Sequence, residues 1–243
     1  MRKLLVWMML LGMALLGTNI VSGQDLSNKG KDFWITFPAH VDANLAVLGI
    51  YITSDRAATG KVDFNGYSLS FSIAANGVKT FFLGPNGDAP NSTVYLGLQE
   101  GIQTNAAIHV TSDQPVVVYA HIIRQARSGA SLILPTNVWG KEYIVPSYRS
   151  AGSSGTNSGY GIINVVAKEA NTVVEITPKA TSRDGSKPAG VPYTITLSQP
   201  GDVYQVQFAK DQDISGSLVR SIASASGGCK PIAVFSATTW SAF

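Results

Sequence analysis

The amino-acid sequence predicts an all-β protein in which two tandem β-sandwich-like modules follow an N-terminal signal peptide. Three observations support this fold class. Apolar residues recur with a period of two, glycine-containing turns separate the apolar runs, and the same segments return in the same order about 110 residues later. Past the first 23 residues, no window has the spacing of an amphipathic helix over three turns. A single irregular β-barrel is the alternative that periodicity leaves open.

The N-terminus has the parts of a signal peptide. Arg2 and Lys3 precede an apolar run over residues 4–16, and small residues at 21–23 fit a cleavage site. We therefore predict that residues 1–23 are removed. A membrane anchor is the alternative, but the run is shorter than the ~20 residues that span a bilayer. The predicted location is secreted, either extracellular or at the cell surface.

Composition narrows the range of partners. The 243 residues include 18 Lys and Arg against 15 Asp and Glu, and the net charge of +3 falls to +1 once the leader is gone. No basic run is interleaved with aromatic residues, so the sequence predicts no nucleic-acid partner. We also expect no membrane insertion after leader removal.

A single cysteine, Cys229, excludes an internal disulfide, so an exported chain must rely on its core. Cys229 lies in "SGGCKP", beside a predicted strand. We expect it to be a small buried apolar residue. A reactive thiol or a link between two chains is the alternative.

Individual strands follow from the alternation. One-sided strands are predicted where apolar residues alternate with Ser, Thr or Gln that face water. Their apolar members are Leu69, Phe71 and Ile73; Tyr193, Ile195 and Leu197; and Tyr204, Val206 and Phe208, with Gln205 and Gln207 between the last three. Two nearly continuous apolar runs, 116–123 and 162–167, predict strands that are covered on both faces.

The internal repeat divides the chain. "GKDFWI" (Gly30–Ile35) returns as "GKEYIV" (Gly140–Val145), and three further blocks match in the same order. They are residues 49–64 with 161–176, 68–83 with 194–208, and 108–120 with 222–236. We predict a first module over 25–137 and a second over 138–243.

The second module lacks a counterpart of "SGASLILP" (128–135). It is therefore either truncated or followed by further domains of a longer protein. Trp240 and Phe243, aromatic residues near the end of the sequence, favour the second interpretation.

Catalytic, cofactor and metal sites are not predicted. His40, His109 and His121 lack ligand spacing; His109 should point away from the core and His121 should make a buried hydrogen bond. "DQD" (211–213) offers too few oxygens for calcium and predicts a solvated turn. The sequence contains no G-x-S-x-G motif.

One loop is a candidate binding element. "SAGSSGTNSGYG" (Ser150–Gly161) follows Arg149 and contains Tyr160. Its composition is typical of a flexible loop. The alternative is a ligand-facing loop in which Arg149 and Tyr160 bind, because loops on rigid β-scaffolds often carry recognition.

The order of several phrases resembles a known family. "GKDFWITFP", "LGIYITS", "IHVTSDQPVVVYA" and "LILPTNVWGKEYIVPSY" resemble the N-terminal domain of IgGFc-binding protein, as found at the front of large secreted bacterial proteins of Bacteroidota type. The resemblance covers nearly the whole mature chain and ends before the family's domain would end. It implies an extracellular, non-enzymatic module, and it transfers no catalytic or binding residue.

The sequence is compatible with three functions. The leading hypothesis is a recognition or adhesion module that binds a glycan, glycoprotein or other extracellular partner. The alternative is a structural β-module of a larger surface protein with no ligand of its own. A hydrolase of extracellular polymers would need paired acids at one cleft, and the four glutamates mostly fall at turn edges or on solvent-facing positions.

Overall fold

The computed structural model describes residues 27–42, 45–125, 127–151, 153–154, 157–225 and 227–241. The predicted signal peptide (1–23) and Phe243 lie outside these residues, so both predictions stay untested. Within the described part, the chain is all-β, as predicted, and consists of several antiparallel sheets with two short 3-10 turns. None of the described segments forms a helix long and apolar enough to cross a bilayer.

The described residues of the first half form eight strands. They are β1 (Gly30–Ile35), β2 (Val47–Ser54), β3 (Ala58–Phe64), β4 (Tyr67–Ile73), β5 (Gly77–Leu83), β6 (Gly101–Gln103), β7 (Ile108–Ile123) and β8 (Gly129–Ile133). The β3–β4 hairpin turns at Asn65 and Gly66, which both have positive φ. An Asn-Gly pair adopts this two-residue turn easily, as the sequence predicts.

The long strand β7 belongs to two sheets. Its N-terminal part lies between β1 and β3, and its C-terminal part lies between β2 and β8. β7 passes from one sheet to the other near Pro115, which has no backbone N–H to donate to a neighbouring strand. The two sheets enclose the first core, which includes fully buried Phe33, Ile35 and Phe37. Phe33 and Ile35 lie on one face of β1, and Phe37 follows two residues after the strand ends.

The second half forms another set of strands. They are β9 (Glu142–Ile144), β10 (Ser153–Ser154), β11 (Asn157–Ser158), β12 (Gly161–Ala167), β13 (Thr172–Thr177), β14 (Tyr193–Leu197), β15 (Val203–Gln207), β16 (Leu218–Ile222) and β17 (Ile232–Thr238). One sheet has the order β14-β13-β16-β9 and another β17-β12-β15-β6. The second core lies between these sheets and includes Val145, Ile176 and Phe208, with Tyr143 packed against it.

Strand order is the same in both halves. The order β1-β7-β3-β4 corresponds to β9-β16-β13-β14, and the pair β2-β5 beside β7 corresponds to β12-β15 beside β17. Each Gly-Lys phrase leads into the edge strand of such a sheet. The duplication of the sequence and the boundary at 137/138 stay predictions.

One strand of the first half joins a sheet of the second. Strand β6 pairs with β15, Ile102 lying opposite Tyr204. The outer face of this sheet packs against the first half through Val166, Val203 and Ala233. The prediction that Gln205 and Gln207 face water is wrong. Both are fully buried, because the segment that leads into β6 covers them. The prediction that 162–167 is covered on both faces is confirmed.

Two further predictions are wrong. The run 116–123 is covered on one face only, because Tyr119 on the other face of β7 is 41% exposed. Cys229 is exposed rather than buried, because it lies in the connection between β16 and β17 and not in a strand. In the first half, these two strands correspond to the uninterrupted β7.

Candidate functional site

A cleft of about 520 Å³ lies between the two halves of the chain. Its volume falls in the range of ligand-binding cavities. Three segments from distant parts of the sequence line it: the chain after β1, the β7–β8 hairpin, and the end of β17 with the residues that follow. Ala120, Ile122 and Ile133 add apolar surface from β7 and β8.

Aromatic side chains border this cleft. Tyr148 is 68% exposed, Trp240 is half-buried, and Phe37 and Phe235 line the cleft from the two halves. Exposed aromatic rings offer large, rigid surfaces on which sugar rings or apolar side chains can pack. The cleft therefore combines concavity with the surfaces that recognition sites use.

A polar network holds one rim of the cleft in place. The Arg127 guanidinium donates to Asp42 Oδ1 at 2.8 Å, and the Arg127 carbonyl lies 2.7 Å from His40 Nε2. The Tyr95 hydroxyl accepts a hydrogen bond from the His40 backbone N–H at 2.8 Å. Burial raises the pKa of Tyr95, so its hydroxyl stays protonated and can donate in turn to the His40 carbonyl at 3.2 Å. These bonds fix the β7–β8 hairpin against the chain after β1.

The loop predicted to bind is attached to the same end of the second half. Ala151 N–H donates to the Trp240 carbonyl at 2.9 Å, and Thr239 N–H donates to the Tyr160 carbonyl at 2.9 Å. Thr239 and Trp240 both line the cleft, so the two ends of the loop lie beside it. The middle of the loop includes residues outside the described part of the chain.

The structure does not bring Arg149 and Tyr160 together. Arg149 makes a two-pronged ion pair with Asp211 at 2.9 and 3.0 Å, and this hydrogen bonding raises the pKa of Arg149. Tyr160 instead packs under the guanidinium of Arg183, 4.5 Å from the ring centre. Neither residue lines the cleft, so their role in binding stays a prediction. The residues that do line it, Tyr148 and Trp240, were not predicted to bind, although each lies close to that loop in space or sequence.

A second cavity, of about 540 Å³, lies beside the start of β1. Two of its charged groups pair with each other, Lys29 with Asp55 at 2.8 Å, and Asp32 binds His109, which does not line the cavity, at 2.6 Å. No aromatic ring lines this cavity among the described residues. It is therefore a weaker candidate for recognition than the cleft between the halves.

Thr136, His109 and Asp32 have the residue types of a hydrolase triad, but their hydrogen bonds do not connect them in the order that a triad needs. Thr136 Oγ1 donates to Asp32 Oδ2 at 2.8 Å, and His109 Nε2 contacts Asp32 Oδ1. The carboxylate thus separates the hydroxyl from the imidazole, which could not remove the hydroxyl proton. Trp34 stacks on His109 with ring centres 4.0 Å apart. The group links β1 to β7 and to the segment before β9, which is a structural role.

The other titratable residues give no sign of a metal site. In the part of the chain that the structure describes, no three His, Cys, Asp or Glu side chains form a group that could hold an ion. Asp211 is tied up by Arg149, and Asp213 accepts from Ser215 N–H at 2.8 Å. His109 points away from the core, as predicted. The prediction that His121 makes a buried hydrogen bond is wrong: its ring is partly exposed and lies beside Tyr51.

The interface between the halves contains buried amide groups. Gln205 Nε2 donates to the carbonyls of Gly97 and Gln99 at 2.9 and 2.5 Å, and Glu100 accepts from Gln207 N–H at 2.8 Å. Burial raises the pKa of Glu100. Asn164 lies directly across from Gln205 in the sheet. This polar layer joins the halves through the bonds of Gln205 Nε2 and Glu100, whereas Asn164 Oδ1, Gln205 Oε1 and Gln207 Nε2 have no hydrogen-bond partner among the described residues.

Comparison with known proteins supplies one family. Residues 129–243 match the family described as IgGFc binding protein, a segment that starts at β8 and includes the whole second half. The resemblance seen in the sequence is thereby confirmed for that segment, whereas a Bacteroidota origin stays a prediction. No curated protein matches the chain.

One solved structure shows a distant likeness. The "Crystal structure of PBSX exported protein XepA" is 11% identical, and the alignment covers 88% of this chain and 84% of that one. The TM-score is 0.22, too low to support any conclusion about fold or function.

Proposed function

Since residues 129–243 match the family described as IgGFc binding protein, we propose that this protein is a non-enzymatic recognition or adhesion module that works outside the cell or at its surface. Its partner is a glycan, a glycoprotein or another extracellular protein. The matched family is named for binding to the Fc part of IgG. IgG Fc is therefore one candidate among these partners.

The cleft between the halves is the observation that supports this function. Its aromatic residues Tyr148 and Trp240 come from the second half, and its Arg127 rim comes from the first. A partner in this position would contact both halves at once, so its affinity would depend on their fixed arrangement. The hydrogen bonds of His40, Tyr95 and Asp42 hold the rim in place before binding.

A binding panel tests the proposal. We would measure binding of the secreted chain to IgG Fc, a mucin glycoprotein and an oligosaccharide array, and compare it with Trp240→Ala and Tyr148→Ala. Losing an aromatic anchor at a well-packed site weakens binding by about 2 kcal/mol, roughly thirtyfold. Tyr67→Ala is the matched control, because Tyr67 is 38% exposed and lies on β4, away from the cleft.

Two results would contradict the proposal. One is equal weakening by the control and by the cleft variants, which would place recognition elsewhere or make it nonspecific. The other is no binding to any member of the panel at high micromolar concentration. That outcome favours a structural β-module with no ligand of its own.

A further inference from the structure

Strand β17 has an edge that no described strand covers. It pairs with β12 alone, whereas the corresponding C-terminal part of β7 pairs with both β2 and β8. The place that β8 takes beside β7 is thus unpaired beside β17 in the described part of the chain. An uncovered edge presents a row of backbone donors and acceptors that can pair with another strand.

The hydrogen bonds at the two ends of β17 show which residues face this edge. Thr239 N–H donates to the Tyr160 carbonyl, on the side of β12, and Ile232 N–H donates to the Gly140 carbonyl on the opposite side. Backbone groups of successive strand residues point to alternate edges. Ser236 and Thr238 therefore direct their N–H and C=O groups away from β12, and no described residue pairs with these groups.

This edge borders the cleft. Residues 235–241 line the cleft without a gap. Residues 235–238 of this run belong to β17. A strand that presented one face would contribute alternate residues only, so the consecutive run indicates that its edge faces the cleft. The consecutive residues 128–131 of the β7–β8 hairpin line the other side, and β8 pairs with no described strand other than β7. Two strand edges thus border one cleft.

The side chains in and around the cleft indicate what the occupant needs. Ala120, Ile122 and Phe235 offer apolar contacts to side chains that point into the cleft. Beside the cleft, Arg127, which lines it, and Arg124, which does not, share one carboxylate, Asp42, at 2.8 and 3.9 Å. The rim is left with one positive charge in excess, which favours an acidic residue in the occupant.

We propose that the occupant is an extended segment of a partner polypeptide, which adds a strand to the open edge of β17. It pairs through its backbone with Ser236 and Thr238, places small or apolar side chains toward Phe235, and sets an acidic residue near Arg127. This recognition mode draws affinity from main-chain hydrogen bonds and specificity from alternate side chains. The proposal rests on the cleft as recognition site and adds the chemical class of the partner.

A displayed library of random twelve-residue peptides, selected on the intact chain, supplies the probe. The strongest binder is then measured against Ser236→Pro and Ser236→Ala. Proline removes the N–H on the open edge, and edge strands accept it there because β12 does not use that group. Alanine removes the hydroxyl that donates to the Pro146 carbonyl but keeps the N–H. We expect Ser236→Pro to weaken binding at least fivefold and Ser236→Ala to leave it within twofold.

Amide hydrogen exchange in the unmodified chain gives a second measurement that needs no variant. Without peptide, the amides of Ser236 and Thr238 should exchange faster than that of Ala237, whose N–H faces β12. With peptide bound, the first two should slow at least tenfold, while Ala237 changes little. Such alternate protection is expected from an added strand and not from side-chain contacts alone.

The remaining outcomes overturn the proposal in distinguishable ways. Peptide binding without protection at Ser236 and Thr238 excludes strand addition. Failure to select any peptide, together with a glycan that binds in a Trp240-dependent manner, leaves the cleft as the recognition site but excludes this class of partner. Concentration-dependent association of the free chain that Ser236→Pro abolishes would identify the occupant as a second copy.

Discussion

Gln205→Ala tests how the two halves are joined. Gln205 is fully buried, and its side-chain nitrogen donates to the carbonyls of Gly97 and Gln99. The variant loses both hydrogen bonds, worth about 1 kcal/mol each, and leaves two carbonyls without that donor. We expect the free energy of unfolding to fall by about 2–4 kcal/mol.

Urea unfolding followed by tryptophan fluorescence measures this change. Gln199→Ala is the control: its side chain is exposed, and its backbone N–H, which donates to Asp202, is untouched. The control should stay within about 0.5 kcal/mol of the unmodified chain. A loss below 1 kcal/mol for Gln205→Ala would refute the reasoning, because it would mean that these bonds do not hold β6 against β15.

Three further predictions concern stability and reactivity. Gly60→Ala should lower the free energy of unfolding by about 1–3 kcal/mol, measured by thermal unfolding. The reason is that a Cβ at Gly60 would lie 2.1 Å from the Thr111 carbonyl oxygen. Gly228→Ala is the control and should leave stability unchanged, because the space around Gly228 is open. Burial opposes ionisation of Asp32, but hydrogen bonds from His109 and Thr136 outweigh it and lower the pKa of Asp32 below 3.8. The unmodified chain should therefore be more stable than Asp32→Asn above pH 3.8, and this difference should disappear as the pH falls through the lowered pKa of Asp32. A stability difference that persists unchanged to pH 2 would contradict this. Cys229 is exposed, so in the folded chain it should react with a thiol reagent as fast as a model thiol. A Cys229 that reacts only after the chain unfolds would contradict its exposed position.

Alternation in the sequence was enough to predict most one-sided strands. Phe71 and Ile73 of β4 and Leu197 of β14 are buried where the period of two places them. The hairpin at Asn65 and Gly66 fits the expectation of glycine-containing turns, because this turn needs positive φ at two successive residues. Such features depend on residues that are neighbours in the sequence, so they can be predicted from a single sequence.

Packing between the halves could not be predicted in the same way. Gln205 alternates with apolar residues as a solvent-facing residue would, and it is buried because β6 pairs with β15 and the segment before β6 covers it. The cleft has the same origin, because His40, Arg127 and Trp240 are far apart in sequence and meet only through the arrangement of the two halves. The sequence therefore pointed to the neighbouring loop and missed the residues that line the cleft.

Recognition at the cleft between the halves is the central proposal. The decisive measurement is the dissociation constant of the best partner from the binding panel or peptide library for the unmodified chain and for Trp240→Ala. We predict that Trp240→Ala weakens binding about thirtyfold while its unfolding midpoint stays close to that of the unmodified chain. An unchanged dissociation constant would contradict the account.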